Sequence, residues 1–331
     1  MPNIDDFPRA RFNFLPTPLV ELKRLSRALG GPRIFIKRDD LTGVAMGGNK
    51  TRKLEFLLGE ALQQGCDTVL ACGATQSNLC RQTAGAAAAA GLQCHLALGG
   101  SRPDLVDSNL LLDCLLGATI HWCGEYSKGE TLPEIAAELR AAGRRPYLIT
   151  YGGSTPPGAL GFVAAMAELK EQLSTLQVDL DVLVLPTSSC GTQAGMAVGM
   201  AASRLGTRII GIQIDRDAPG DPSFEDQLAE LANQTARKLG LGRDFRDLDF
   251  QVRYEWVGAG YEVVSDAMRE AVALTAKLEG VLLDPIYTGR AMAGLIGMIR
   301  KGELTAAHKV LFWHTGGLPA IFRFAGEMLK P

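Results

Sequence analysis

Apolar positions along the chain switch repeatedly between two periods. Between residues 51 and 65, Leu54, Leu57, Leu58, Ala61 and Leu62 recur on one face of a helix. Residues 68–72 form a continuous apolar run, which predicts a strand buried on both faces, and 73–77 read as a turn. An alanine-rich helix is predicted over 78–90. The unit then repeats: strand 93–98, helix 103–116, strand 118–122, helix 132–142, strand 146–150. Ahead of it, 33–37 reads as a short strand ending in charge. The segment 152–158, with its Pro156-Pro157 pair, interrupts the pattern and is expected to carry the chain to another domain. A second alternating set follows, with strand 182–185, a glycine-containing loop, helix 193–205 and strand 208–212. Helices over 225–239, 263–278 and 289–300, a strand over 309–313 and a short helix from Pro319 complete the pattern. Strict alternation of strand and helix implies parallel sheets covered on both faces, an α/β protein.

Composition narrows the functions. With 331 residues the chain can bury a large core in one or two domains. Charged residues make up 21% and the net charge is −2, so nothing points to a nucleic-acid partner or an anionic membrane surface. No apolar run is long enough to span a bilayer, and the polar, acidic start does not resemble a secretion signal. Seven cysteines, without any Cys-x-x-Cys pair, read as reduced thiols of a cytoplasmic protein; the four histidines lack ligand spacing, and no metal site is expected.

The segment that carries chemistry is Gly47-Gly48-Asn49-Lys50-Thr51-Arg52-Lys53. Lys50 follows a glycine turn where a helix should begin. The positive end of the helix dipole and the neighbouring cations both lower its pKa and favour the neutral amine that a Schiff base with an aldehyde cofactor requires. The segment alone suits a solvated lysine at a helix start equally well.

Further landmarks are Pro16-Thr17-Pro18-Leu19, Lys37-Arg38-Asp39-Asp40, the stretch from Gly73 to Gln82, Gly191-Thr192-Gln193-Ala194-Gly195, Glu279-Gly280-Val281-Leu282-Leu283-Asp284-Pro285 and His314-Thr315-Gly316-Gly317. In this order they resemble the pyridoxal-phosphate (PLP) enzymes of the tryptophan-synthase-β type, and within them the 1-aminocyclopropane-1-carboxylate (ACC) deaminase / D-cysteine desulfhydrase family. The openings Phe7 to Phe12 and Gly30 to Ile34 look most like the L-cysteate sulfo-lyase branch. The resemblance implies fold type II. A small α/β domain over 50–165 is inserted in a large one made of 1–49 and 166–331, with PLP in the cleft between them. It also implies a small amino-acid substrate and a homodimer.

Residue by residue, the resemblance makes Lys50 the covalent attachment point and the base that moves the Cα proton. Lys53 is similar in position to a lysine that helps hold the cofactor phosphate, although an exposed helix lysine fits as well. Ser188-Ser189-Cys190-Gly191-Thr192, after a strand and before a helix, suits a phosphate dianion; it also reads as an ordinary turn, and Ser188 and Cys190 replace the family's usual small residues. Thr75-Gln76-Ser77-Asn78 suits a substrate carboxylate, with Asn78 beside the cofactor's 3′ oxygen and Ser77 on the substrate; Ser77 and Asn78 serve equally as helix caps. Leu79 and Cys80 depart from the family pattern and imply a more apolar wall. Tyr287 and Tyr261 match tyrosines near the substrate, or are packed rings.

Thr288 and Thr315 match the desulfhydrase branch, where the deaminases carry glutamate and leucine. A hydroxyl does not hold the ring nitrogen protonated as a carboxylate does. That weaker electron sink suffices for β-elimination but not for opening an unactivated cyclopropane. The expected activity is therefore an α,β-elimination, on D-cysteine first, L-cysteate second and ACC third. Arg81 and Arg290 lie near these motifs as possible partners for a sulfonate. The opposing expectation is a catalytically silent α/β binding protein. A dinucleotide site is disfavoured because no strand leads into Gly-x-Gly-x-x-Gly.

Overall fold

The computed structural model describes residues 3–215, 222–258, 260 and 262–330. In chain order its first half runs β1 (Leu19–Glu21), α1 (Lys23–Leu29), β2 (Arg33–Arg38), α2 (Asn49–Gln63), β3 (Thr68–Gly73), α3 (Asn78–Ala90), β4 (Gln93–Leu98), α4 (Ser108–Leu115), β5 (Thr119–Trp122), α5 (Leu132–Ala141) and β6 (Pro146–Ile149). The second half runs α6 (Pro156–Leu176), β7 (Val182–Thr187), α7 (Gly191–Ser203), β8 (Arg208–Gln213), α8 (Phe224–Leu239), β9 (Gln251–Arg253), α9 (Asp266–Glu279), α10 (Thr288–Arg300), β10 (Lys309–His314), α11 (Ala320–Arg323) and α12 (Ala325–Met328).

Two sheets form. A six-stranded sheet has the order β1-β2-β10-β7-β8-β9, and a four-stranded sheet the order β5-β4-β3-β6. Every pairing is parallel except β1 with β2. Period-2 alternation sends side chains to opposite faces, and both faces of each sheet are covered. In the large sheet Ile34, Ile36, Val184 and Phe312 join the core under α9 and α10, while Phe35, Leu183, Leu185 and Trp313 pack against α6 and α7. In the small sheet Val69, Ala71 and Leu96 pack with α2 and α3, and Leu70, Cys72 and Ala97 with α5.

The structure adds elements that the pattern did not predict, namely β1, α1, β9 and, above all, α6. Pro156 and Pro157 do not break the chain; they occupy the first turn of a 21-residue helix. Proline is tolerated there because those N–H groups have no partner within the helix, and the Thr155 hydroxyl caps the turn by accepting from Gly158 N at 3.4 Å. The expected domain limits, 50 and 165, fall inside α2 and α6, so that division, which we keep as a proposal, cuts two helices. The helix predicted from 263 starts at Asp266, where the Ser265 hydroxyl accepts from Met268 N, and the helix predicted from 103 starts at Ser108. Among the described residues no helix is long and apolar enough to cross a membrane.

Candidate active site

The C-terminal ends of both sheets open onto a cavity of about 160 Å³. In open parallel sheets this is where ligands bind. Lys50 reaches it from the first turn of α2. The turn before it demands glycine: Gly47 and Gly48 lie at φ 66° and 131°. A Cβ on Gly47 would stand 2.3 Å from the Asp40 carbonyl oxygen, and one on Gly48 would meet the Gln82 amide at 2.5 Å. Asn49 N donates to the Thr315 carbonyl at 2.9 Å, which ties this turn to the one after β10. The Asn49 amide donates to Thr192 Oγ1 at 3.1 Å, which ties it to the first turn of α7. Three separate strand ends thus converge on Lys50.

Lys50 is half-buried against the cavity, its Nζ 3.2 Å from the Gly152 carbonyl and 3.3 Å from Ser189 Oγ. Burial, not the expected neighbouring cations, pushes its pKa down to about 8; the hydrogen bond with Lys53 and the Cys80 thiol act the other way. Lys53, one turn on, is wholly buried and donates to the same carbonyl at 3.0 Å. Burial first, then the charge of Lys50, pushes its pKa well down. Among the described residues neither lysine is paired with a carboxylate. Two adjacent buried amines sharing one carbonyl are an uncompensated site. It fits a group that brings both an anion and an aldehyde.

The loop before α7 supplies the rest of an anion cradle. Ser188, Ser189, Cys190 and Thr192 line the cavity, and Cys190 adopts φ 62°, a left-handed conformation uncommon outside glycine. Gly191 lies directly over Lys53, since a Cβ there would come within 2.7 Å of Lys53 Nζ. N–H groups at a helix N-terminus with a lysine beneath them suit a phosphate. Across the cavity, Ser77 and Asn78 open α3. Ser77 Oγ accepts from Cys80 N at 3.3 Å, so it is the helix cap as well as a lining residue.

Several candidate residues sit elsewhere. Thr75 and Gln76 do not line this cavity. They border a neighbouring one of about 520 Å³, and Gln76 is committed to α4, accepting from Asn109 N at 2.9 Å and donating to Asp107 Oδ1 at 3.2 Å. Thr288 also stands apart. It does not line the cavity: its hydroxyl donates to Asp284 Oδ1 at 2.6 Å and accepts from Asp284 N at 2.8 Å. Asp284 in turn caps α10, accepting from the backbone N–H of Ile286, Tyr287 and Thr288. Tyr287 and Thr315 do line the cavity, and Tyr261 lies outside the described residues. Arg81 and Arg290 are buried; Arg81 donates to the Gly47 carbonyl and to the side-chain oxygens of Asn78 and Asn109, and Arg290 to the carbonyls of Ile214 and Gly260.

Sequence reasoning missed Tyr151, Lys128 and Asp215, all of which line the cavity. Tyr151 is hydrogen-bonded to Ser188, and burial pushes its hydroxyl pKa up. Asp215, the only carboxylate among the described lining residues, also borders a second cavity with Tyr151 and Ser188. Thr315 and Tyr287 do not border that cavity, whereas Ser188, Ser189 and Cys190 do, so Asp215 stands on the side of the loop before α7.

A family model described as pyridoxal-phosphate dependent enzyme matches residues 11–316. Among solved structures, an ACC deaminase homologue superposes with a TM-score of 0.89 at 35% identity, over 98% of this chain and 97% of that one. An O-ureido-L-serine synthase superposes with a TM-score of 0.66 at 17% identity, over 99% of this chain and 96% of that one, a likeness of fold alone.

Proposed function

The chain belongs to the pyridoxal-phosphate-dependent enzymes and is ACC deaminase-like; from that premise we propose that it is a lyase removing the Cβ substituent of a small amino acid by α,β-elimination. D-cysteine is the first candidate substrate, L-cysteate the second and ACC the third. The observation that carries the reading is Lys50: an amine of pKa about 8 at the cavity wall, beside a second buried lysine without a carboxylate partner among the described residues.

When bound, the cofactor withdraws electrons from the substrate Cα and acidifies its proton. Lys50 would hold the cofactor covalently and would take the substrate's Cα proton on Nζ. Lys53 and the first turn of α7, with Thr192, hold the phosphate. Asn78 donates toward the cofactor's 3′ oxygen, and Ser77 at the start of α3 orients the substrate. The Cβ–sulfur bond then breaks with both electrons leaving on sulfur. Water converts the released enamine to pyruvate and ammonia. With threonine at both 288 and 315, where the deaminases carry glutamate and leucine, the chain lacks the carboxylate that a strong electron sink would need, which favours elimination over cyclopropane opening.

L-cysteate is kept as a second reading because of one residue. Lys128 lines the cavity, and its ammonium has no partner among the described residues. A sulfonate leaving group would use such a cation.

Borohydride reduction of the PLP-loaded protein, followed by peptide mapping, is expected to leave the pyridoxyl group on Lys50; a label on Lys53 or elsewhere overturns the assignment. Pyruvate release is then compared across D-cysteine, L-cysteine, L-cysteate, β-chloroalanine and ACC. Elimination from at least one β-substituted substrate with scarcely any turnover of ACC is the expected outcome, and robust ACC turnover overturns it. A Lys128→Met variant that loses L-cysteate turnover selectively would move the second reading to first.

A further inference from the structure

Helix α4 carries a buried polar residue that faces the cavity's wall rather than the cavity. Asn109 is fully buried and donates through Nδ2 to Asn78 Oδ1 at 3.1 Å and to the Gln76 carbonyl at 2.7 Å. Its Oδ1 accepts from Arg81 Nη1 at 2.7 Å. The same Nη1 donates to Asn78 Oδ1 at 3.2 Å, and Nη2 donates to the Gly47 carbonyl at 2.9 Å.

The chemistry of the guanidinium fixes both amide orientations. Arginine has donors only, so the atom each asparagine turns toward Nη1 must be its carbonyl oxygen. With Oδ1 thus set, Asn109 has its Nδ2 left to donate to Asn78. Asn78 therefore meets two donors through one oxygen, and its Nδ2 has no acceptor among the described residues. Asn78 lines the cavity, so that N–H₂ is left for a ligand. A flipped Asn78 would set its amino group against two donors inside the protein.

We propose that Asn109 and Arg81 are positioning residues that lock the Asn78 amide with its donor toward the cavity. The proposal rests on the reading that Asn78 meets the cofactor's 3′ oxygen. Through Gly47, Arg81 also braces the turn that presents Lys50, so one buried cation sets the register of both groups.

The readout is the pH midpoint of the visible absorption of the PLP-loaded protein. A donor on the 3′ oxygen drains its negative charge. Without that donor, the lysine-linked nitrogen beside it keeps its proton to higher pH. A charge-assisted hydrogen bond of this kind corresponds to a rise of about one pH unit when it is lost. Asn78→Ala and Asn109→Ala are each expected to raise the midpoint, and the double variant to match Asn78→Ala alone. Asn109→Asp is isosteric and keeps the acceptor for Arg81, but it places a carboxylate against Asn78 Oδ1. It should raise the midpoint at least as far as Asn109→Ala, and it serves if that variant does not fold.

A midpoint that moves in Asn78→Ala but stays in both Asn109 variants overturns the positioning role. A midpoint that moves in none of them overturns the contact with the 3′ oxygen and the proposal with it. Either result leaves the functional reading standing as long as the borohydride label maps to Lys50, whereas a label elsewhere removes that reading separately.

Discussion

Helix α2 carries buried cations on two of its faces, and their surroundings differ sharply. Arg52 is bound by Asp39 at 2.8 Å and by Glu168 at 3.0 Å. Lys37, reaching in from β2, contacts the same Glu168, the Thr17 carbonyl at 2.7 Å and the Gln172 side chain at 2.5 Å. Trp313 Nε1 donates to Asp39 at 2.8 Å and closes the cluster. Two cations face two carboxylates, and every donor is engaged. Lys53, the residue next to Arg52, shares one carbonyl with Lys50 and has no carboxylate partner among the described residues. The first cluster is internally neutral and closes a seam between α2, α6 and the large sheet. The second is left without a balancing charge among the described residues, which is why we propose that a ligand supplies it. A burial profile alone does not separate them; counting compensating charges does.

The contrast breaks most visibly at Lys50. Lys50→Ala should abolish the covalent cofactor band and lower kcat by about 10²–10⁴-fold, the range of a lost general base. Removing a cation from an uncompensated cluster should not cost stability, so the denaturation midpoint of the cofactor-free variant should equal or exceed that of wild type. A clear loss of stability would show that Lys50 is structural.

The opposite result is expected in the neutral cluster. Glu168→Gln leaves Lys37 and Arg52 short of a charge and should cost roughly 3–5 kcal/mol, measured by urea unfolding. Burial raises the Glu168 pKa, but the hydrogen bonds and charges of Arg52 and Lys37 outweigh it and hold it at about 2. Its folded pKa is depressed, so its contribution is present above the unfolded value, near 4.5, and is lost as pH falls toward 2. Wild type should lose stability across that window more steeply than Glu168→Gln.

Lys53→Met sharpens the comparison further. It removes a buried amine whose pKa is already well down, and with it the proposed donor to the phosphate. Cofactor affinity should fall by about one to two decades, as for a hydrogen bond to a charged group, while cofactor-free stability holds or rises. Equilibrium dialysis and thermal melting measure the two separately. Unchanged affinity would remove Lys53 from the phosphate site.

Much of this was legible in sequence because it is local. Lys50 follows a glycine turn within one continuous motif, and Ser188 to Thr192 lie between a strand and the helix that follows it. The strands of the small sheet were legible for a similar reason, as apolar runs between amphipathic helices. Residues brought in by topology were not. Tyr151 and Lys128 come from loops beyond different strands, and Asp215 from beyond β8; nothing in their own segments marks them. The helix α6 was hidden by two prolines that also read as a break. Lys37 and Asp39 stood within a family landmark, yet their part in the neutral cluster needs Glu168, far along the chain, to become apparent.

The smallest expected effect concerns the two threonines, which the structure separates. Thr315 lines the cavity, whereas Thr288 is wholly buried with its hydroxyl bound to Asp284, whose carboxylate already accepts from three backbone N–H groups. A glutamate at 288 would therefore bring a second carboxylate beside a buried one, and one of the pair would have to stay protonated. Thr288→Glu should lower stability without creating a strong electron sink. Thr288→Val should act on folding alone, since it removes the two hydrogen bonds that tie the hydroxyl to Asp284, one to Oδ1 and one from the backbone N–H. Thr315→Val keeps the shape and removes the hydroxyl of a residue that lines the cavity. Its kcat/KM for elimination should change by no more than about tenfold, the worth of a single neutral hydrogen bond at roughly 0.5–1.5 kcal/mol. The decisive quantity is the ratio of kcat/KM for a β-substituted amino acid to that for ACC in the two valine variants. A ratio that moves with Thr315 and not with Thr288 supports the separation. A ratio that moves with Thr288 instead would mean that the helix cap, not the cavity wall, sets the reaction.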